Sequence, residues 1–242
     1  MTRTFQRLGR KPQLVLPVVE DLATIVVPSK YPDIFEGCRS SLEQYAPRAP
    51  KVLVRDGDAI KSPEGWKVIQ GPPVPFCYAY SVNLGIQACS GDVLLLNDDC
   101  QFTKEGTLEA LQGVFALRPD IGILSPNVDG IANGVPNVRE LVQETKHYLS
   151  FVCVLIRRSV FDKIGLLDEK YTGYGSEDVD FCRRAQHAGI TLAITSSATV
   201  NHAHCSSSYI REHALERKRS ESAKLYIEKW GRGSPGHYSD EI

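Results

Sequence analysis

No apolar run in this 242-residue chain approaches the roughly 20 residues that a membrane-spanning helix requires. The longest, Leu149 to Ile156, is short and already broken by Ser150. The basic start, Met1 to Lys11, has no apolar segment behind it, so no secretory signal is expected. None of the seven cysteines (38, 77, 89, 100, 153, 182 and 205) forms a CxxC pair. Their odd number and scatter argue against a zinc site or a disulfide framework, and a reducing, cytoplasmic setting is the expectation. A net charge of −1 gives no overall pull toward nucleic acid or anionic membrane. The basic clusters, Arg3, Arg7, Arg10 and Lys11 at the start and Arg217, Lys218 and Arg219 near the end, read as solvated surface. Two phosphate-binding signatures are missing as well. The loop after the first strand reads Pro28-Ser29-Lys30-Tyr31-Pro32, which excludes G-x-G-x-x-G there, and the glycine loop of the P-loop enzymes does not occur.

What is present is a regular alternation of strand and helix signals. With 42% hydrophobic and 24% charged residues, the chain can bury the core of one large α/β domain. Residues 1–21 read as a basic, proline-punctuated arm, 22–231 as the domain and 232–242 as a flexible tail. Leu22–Val27, Lys51–Arg55 and Trp66–Ile69 are β-rich runs closed by turn residues. Apolar positions 34, 35, 38, 42 and 45 give a helical spacing between the first two runs. Further helices are expected at Tyr80–Cys89, Lys104–Leu117, Arg158–Ile164, Glu177–His187 and Arg211–Trp230, the last charged and amphipathic. Ile121–Leu124, Phe151–Ile156 and Thr191–Thr195 read as strands, and residues 126–147 as a long loop. The β-α-β-α-β opening predicts a mostly parallel, doubly wound sheet flanked by helices.

Gly91-Asp-Val-Leu-Leu-Leu96 is a strand buried on both faces, and it runs into Asn97-Asp98-Asp99. Burying an ionised carboxylate is costly unless it is paired or holds a metal. Two of them at the carboxyl end of a buried strand, where open α/β sheets place ligands, point to a divalent cation shared with phosphate. A second acidic pair, Glu177-Asp178, opens a helix behind Gly173, Gly175 and Ser176, where the backbone can approach a ligand closely. His202 and His204 alternate along an apparent strand and share one face. Each feature also has a plain structural reading: a strand-end turn, a helix cap and surface histidines.

As an ordered set, these stretches resemble the family 2 glycosyltransferases of the glycosyltransferase-A fold. The resemblance is carried by Thr24–Ser29, Val54–Gly57, Asn83 through Asp99, Gly175–Gly189, Val200–Ser206 and Glu228–Gly231. It implies one domain with a nucleotide-binding half (22–100) and an acceptor half (101–231). The implied activity is a metal-dependent, inverting transfer of a hexosyl or deoxyhexosyl group from a nucleotide-diphosphate sugar to a glycan or protein acceptor. A nucleic-acid acceptor has only the basic clusters in its favour. By the same resemblance Asp178 is the base, with Glu177 binding acceptor or standing as the alternative. Pro28, Ser29, Asp56, Asn83, Asn97 and Asp98 would contact the donor. The cation, Mn²⁺ or Mg²⁺, would fall to Asp99 and His202, with Asp98 and His204 as further ligands. Asn97 stands where many relatives carry a carboxylate, so the metal assignment rests mainly on Asp99. Asp180 has Arg183 as an expected partner, and Trp66 and Trp230 read as packing residues. The alternatives are a sugar-nucleotide nucleotidyltransferase, disfavoured by the missing glycine- and arginine-rich first loop, and an inactive nucleotide-sugar or carbohydrate-binding module.

Overall fold

Strands that are apolar on both sides need cover on both faces, and the chain supplies it with helices from two directions. The computed structural model describes residues 16–71, 76–130, 136–172, 175–202, 207–208, 211 and 219–232. In chain order the elements are β1 (Thr24–Ser29), α1 (Pro32–Tyr45), β2 (Lys51–Arg55), β3 (Lys67–Gln70), α2 (Tyr78–Gln87), β4 (Val93–Leu96), β5 (Gln101–Phe102), α3 (Thr107–Leu117), β6 (Ile121–Gly130), β7 (Gln143–Thr145), β8 (Cys153–Ile156), α4 (Arg158–Ile164), α5 (Glu177–His187), β9 (Thr191–His202) and α6 (Arg219–Trp230). Ile25, Val27, Leu94 and Leu96 point into one apolar core with α1 and α3. Val26, Val93 and Leu95 point into a second with α2, α4 and α5. Trp66 is a packing residue, set edge-on against Phe35 at 5.5 Å.

The described strands form one nine-stranded sheet in the order β3-β2-β1-β4-β8-β6-β9-β5, with β7 also on β9. The α/β class is as expected, and the parallel character is unbroken in the first half, where β3, β2, β1 and β4 all run parallel, and returns in the β6–β9 pair. The second half is mixed, because β8 runs antiparallel to both β4 and β6. The expected loop at 126–147 is partly sheet, since β6 continues to Gly130 and β7 adds an edge. Nor does β9 stop at Thr195. It runs on to His202 past an irregularity where Pro126 and Asn127 of β6 face Thr195 and Thr199. The expected arm also gives way at its end: Asp21 O accepts from Gln112 Nε2 of α3 at 3.0 Å, and Leu16 lies against Gly113 of the same helix.

Helices α1, α2 and α3 carry no basic residue in their last turn. Their carbonyl ends are satisfied from elsewhere in the chain, as helix termini require. Lys51 reaches Ala46 O and Ala49 O beyond α1, at 2.6 and 2.9 Å. Arg158 donates to Ile86 O and Cys89 O around the end of α2, at 3.2 and 2.7 Å. Arg157 donates to Phe115 O in α3 at 2.6 Å. Each cation sits where the helix dipole favours it; Lys51 ties α1 to β2, and Arg157 and Arg158 tie α3 and α2 to the start of α4.

Helix α2 meets the sheet at Gly85, where an added Cβ would stand 2.3 Å from Val26 Cγ1 and 3.2 Å from Val54 Cγ2. Both are stiff β-branched side chains on central strands. Gly85→Ala is therefore expected to lower stability by about 1–3 kcal/mol, read as a reduced urea midpoint with unchanged slope.

Candidate active site

The sheet order reverses between β1 and β4, and a crevice at such a switch point is where open α/β sheets bind ligands. The register between these strands ends at Val26–Leu95, so β1 beyond it pairs only with β2. Thr24 N bonds toward β4 and Ile25 N toward β2, so the position of Pro28 would aim its N–H at the gap. Proline has none to leave unpaired. Ser29 then closes the crevice floor: its Oγ donates to Asp98 Oδ2 at 2.7 Å. Asp98 also accepts from Ser208 N at 3.1 Å and from the Ser208 hydroxyl, which itself accepts from Lys30 N and Tyr31 N at 2.9 and 3.2 Å. Burial pushes the Asp98 carboxyl up to about 7, while the two serines pull it down. Asp98 thus knots β1, β4 and the Ser208 segment together. Ser208 was not among the residues expected from sequence, since no motif links it to a carboxylate 110 positions away.

Asp99 has a different neighbour. Strand β5, which starts two residues after it, pairs antiparallel with the end of β9, Gln101 with Asn201 and Phe102 with Val200. That pairing brings His202 Nε2 to 3.3 Å from Asp99 Oδ1, with both side chains almost fully buried (4% and 3% exposed). Two donors on adjacent octahedral positions of an ion with ~2.1 Å bonds stand about 3.0 Å apart, so the pair fits one divalent cation. A carboxylate oxygen and an imidazole nitrogen suit Mn²⁺-class ions. Among the described residues no three His, Cys, Asp or Glu side chains converge on a metal position. Protein ligands alone would leave such an ion open to phosphate oxygens. His204, the alternative ligand, lies outside the described residues, as does Gly173.

The second acidic pair opens α5 after Gly175 and Ser176, both at positive φ (81° and 76°). Ser176 is the sole non-glycine among the described residues to adopt it, a conformation that costs an L-residue roughly 1–2 kcal/mol. This turn delivers Glu177 and Asp178 inward, both buried. Burial raises the Asp178 carboxyl to about 6, and the backbone N–H groups of Val179 and Phe151 oppose the rise. Tyr78, buried on α2, is influenced by both acidic pairs: burial first, and then the charges of Glu177, Asp178 and Asp98, push its phenol well up.

Other expected residues have other duties. Asp56 is buried at the end of β2, its N–H donating to Ser29 O at 2.9 Å and its carboxylate filling the space that Gly71 leaves open. Asn97 N donates to Val152 O at 2.9 Å. Asn83 does not join the crevice cluster. Its amide donates to Leu167 O and Glu169 Oε1 and accepts from Leu167 N, at 2.9, 2.9 and 3.0 Å. Asp180 pairs with Arg184 at 2.9 Å rather than with Arg183, because i+4 lies more directly over it on the helix. It also accepts from Lys229 Nζ and Trp230 Nε1 of α6, both at 2.8 Å. Arg183 instead lies over the Trp230 ring at 4.7 Å. Trp230 is therefore a packing residue that also hydrogen-bonds.

With the geometry in place, the comparisons with known proteins agree on one architecture. A profile for the N-terminal domain of galactosyltransferase matches residues 140–206, a span holding Glu177, Asp178 and His202. The pre-mycofactocin glycosyltransferases of two Mycobacterium tuberculosis strains are 29% identical over 139 residues, 50% of this chain and 29% of theirs. The chain thus spans under a third of the length of these curated relatives. S. aureus TarS 1–349 in complex with UDP-GlcNAc superposes with a TM-score of 0.68 at 16% identity, covering 86% of this chain and 66% of that one. GalNAc-T7 with UDP, GalNAc and Mn²⁺ superposes at 0.59 and 14% identity, over 76% of this chain and 43% of that one. The fold is of the glycosyltransferase-A type, as the resemblance implied.

The Asp180 cluster sets a stability contrast. Asp180→Ala leaves Arg184 and Lys229 without their buried carboxylate and is expected to cost roughly 3 kcal/mol. Asp168, whose own 2.9 Å pair with Lys229 is partly exposed, should cost under about 1 kcal/mol when replaced by alanine. Urea unfolding of the two variants side by side measures the difference.

Proposed function

We propose that the chain is a metal-dependent, inverting glycosyltransferase that moves a sugar from a nucleotide-diphosphate sugar to an acceptor hydroxyl. The observation that carries this reading is the Asp99–His202 pair at the switch point, with a second buried carboxylate, Asp178, that bears on Tyr78 together with Asp98. A cation held by Asp99 and His202 would neutralise the charge that develops on the leaving diphosphate. The UDP and UDP-GlcNAc present in the two structural neighbours support a uridine nucleotide as the first donor class to test. In that reading Pro28, Ser29 and Asp56 border the nucleotide, and Asn97 reaches the ribose. Asp98, saturated by the serines, keeps the floor of the crevice in place.

Transfer with inversion needs a base on the side of the sugar opposite the leaving group. Asp178 suits it because burial makes its carboxylate a stronger proton acceptor than an exposed one, yet leaves it ionised at neutral pH. It would take the proton of the acceptor hydroxyl as the oxygen closes on the anomeric carbon. Glu177 beside it would orient that hydroxyl. Both carboxylates gain from the amino end of α5.

Three outcomes test the reading, with UDP release from a panel of UDP-sugars as the assay. Asp178→Asn should retain donor binding by calorimetry and lose turnover by about 10²–10⁴-fold; undiminished turnover removes Asp178 as base. The base acts only when ionised and its carboxyl is raised to about 6, so wild-type turnover should fall as pH drops through about 6. An acid limb near the ordinary carboxylate range would contradict that. Chelation of divalent ions, or Asp99→Asn or His202→Ala, should weaken UDP binding at least tenfold and restore nothing on adding Mg²⁺ in the variants. Chelator-indifferent binding would end the metal assignment.

A further inference from the structure

We propose that Tyr78 is a positioning residue that holds Phe151–Val152 as a common strut for the donor-side turn and the acceptor-side carboxylate. The inference rests on the reading of Asp99 and Asp178 given above. Phe151 and Val152 immediately precede β8, beside the carboxyl end of β4. From Val152 the carbonyl accepts Asn97 N at 2.9 Å, which fixes the start of the Asn97–Asp99 turn. From Phe151 the backbone N–H supports the Asp178 carboxylate. The peptide units on either side of the Phe151–Val152 peptide therefore face one to each half of the site.

The strut needs its own anchor, and Tyr78 provides it. Its hydroxyl donates to Phe151 O at 3.0 Å from a ring that is 4% exposed. On the far side the segment rests on α5: Leu149 N donates to Cys182 Sγ at 3.3 Å, and the Phe151 ring meets Phe181 edge-on at 5.7 Å. A phenylalanine would fill the same apolar space, so the hydroxyl is present for the carbonyl. The titratable groups facing Tyr78 are Glu177 and Asp178 of α5, Asp98 after β4 and Cys153 of β8. Asp178 in turn bears on Tyr78 and Cys182. A tyrosine in such an acidic surrounding stays protonated and remains a donor throughout the working pH range. Losing its bond frees the Phe151 peptide, and both hydrogen bonds on the strut loosen together.

The test uses the full chain and needs no knowledge of donor or acceptor. In Tyr78→Phe, carboxyl ¹³C titration should show the Asp178 midpoint moved up by about half a unit or more, with Asp178→Asn as the assignment control. Amide exchange at Asn97 should accelerate about tenfold or more, while Ile25, bonded to Pro50 O on β1, keeps its rate. Equal acceleration at Ile25 would mean general loosening and would overturn the proposal, as would a folded variant in which either Asp178 or Asn97 is unchanged. Should Tyr78→Phe not fold, 3-fluorotyrosine at position 78, a stronger donor of nearly the same shape, should lower the Asp178 midpoint and slow Asn97 exchange; no change in either overturns the proposal. Turnover by Asp178→Asn would refute the base assignment and leave these two measurements standing, so the two failures are distinguishable.

Discussion

Six carboxylates lie buried among the described residues: Asp56, Asp98, Asp99, Glu177, Asp178 and Asp180. A buried carboxylate must be compensated, and the manner of compensation decides what it can still do. Asp98 and Asp180 are compensated by side chains of this chain, by two serines in one case and by Arg184, Lys229 and Trp230 in the other. They hold elements together. Asp99 faces a histidine whose nitrogen can share a cation with it, and Asp178 is steadied by backbone N–H groups. Backbone support fixes a carboxylate in place without supplying a counter-charge, and so leaves it able to accept a proton. In the proposed reading, near neighbours of one motif, 98 with 99 and 178 with 180, thus divide into architecture and chemistry.

That division was only partly legible in the sequence. The buried strands β1, β2, β4 and β8 announce themselves because both faces are covered and their central residues are apolar without interruption. Helices α4 and α5 carry their boundaries in local chemistry, and both are found where the spacing predicts them. Strand β9 was cut short because Ser196 and Ser197 break the apolar pattern, although the pairing with β6 resumes beyond them. Asn83 and Asp180 illustrate a second limit. Their partners are 84 and 50 positions away, respectively, and spacing within a motif says nothing about side chains that arrive from so far. The arginines that close the carbonyl ends of α2 and α3 were invisible for the same reason.

The residues of the candidate site sit on elements that have little room to shift. Gly85 presses α2 onto β1 and β2, and Arg158 fastens the end of the same helix to the start of α4. Tyr78 opens that helix. A tyrosine at its first turn is consequently held against the sheet by contacts well away from the crevice. Asp180 anchors α6 on α5 two residues beyond Asp178, so the C-terminal helix braces the helix that bears the candidate base.

The two halves of the fold are built on different principles, and this has a consequence for the site. The first half is a parallel sheet whose strand ends open on one edge, a geometry that receives a ligand but supplies few side chains of its own. The second half is mixed, and its antiparallel pairs double the chain back toward that edge. Pairing of β5 with β9 returns His202 to Asp99, and β8 beside β4 returns Phe151 and Val152 to Asn97. Each antiparallel return adds one group to a crevice that the parallel half leaves open. A purely parallel, doubly wound sheet could hold a nucleotide at this edge, but the return of the histidine to Asp99 and of the Phe151–Val152 segment to Asn97 both depend on strands, β5 and β8, that run the other way.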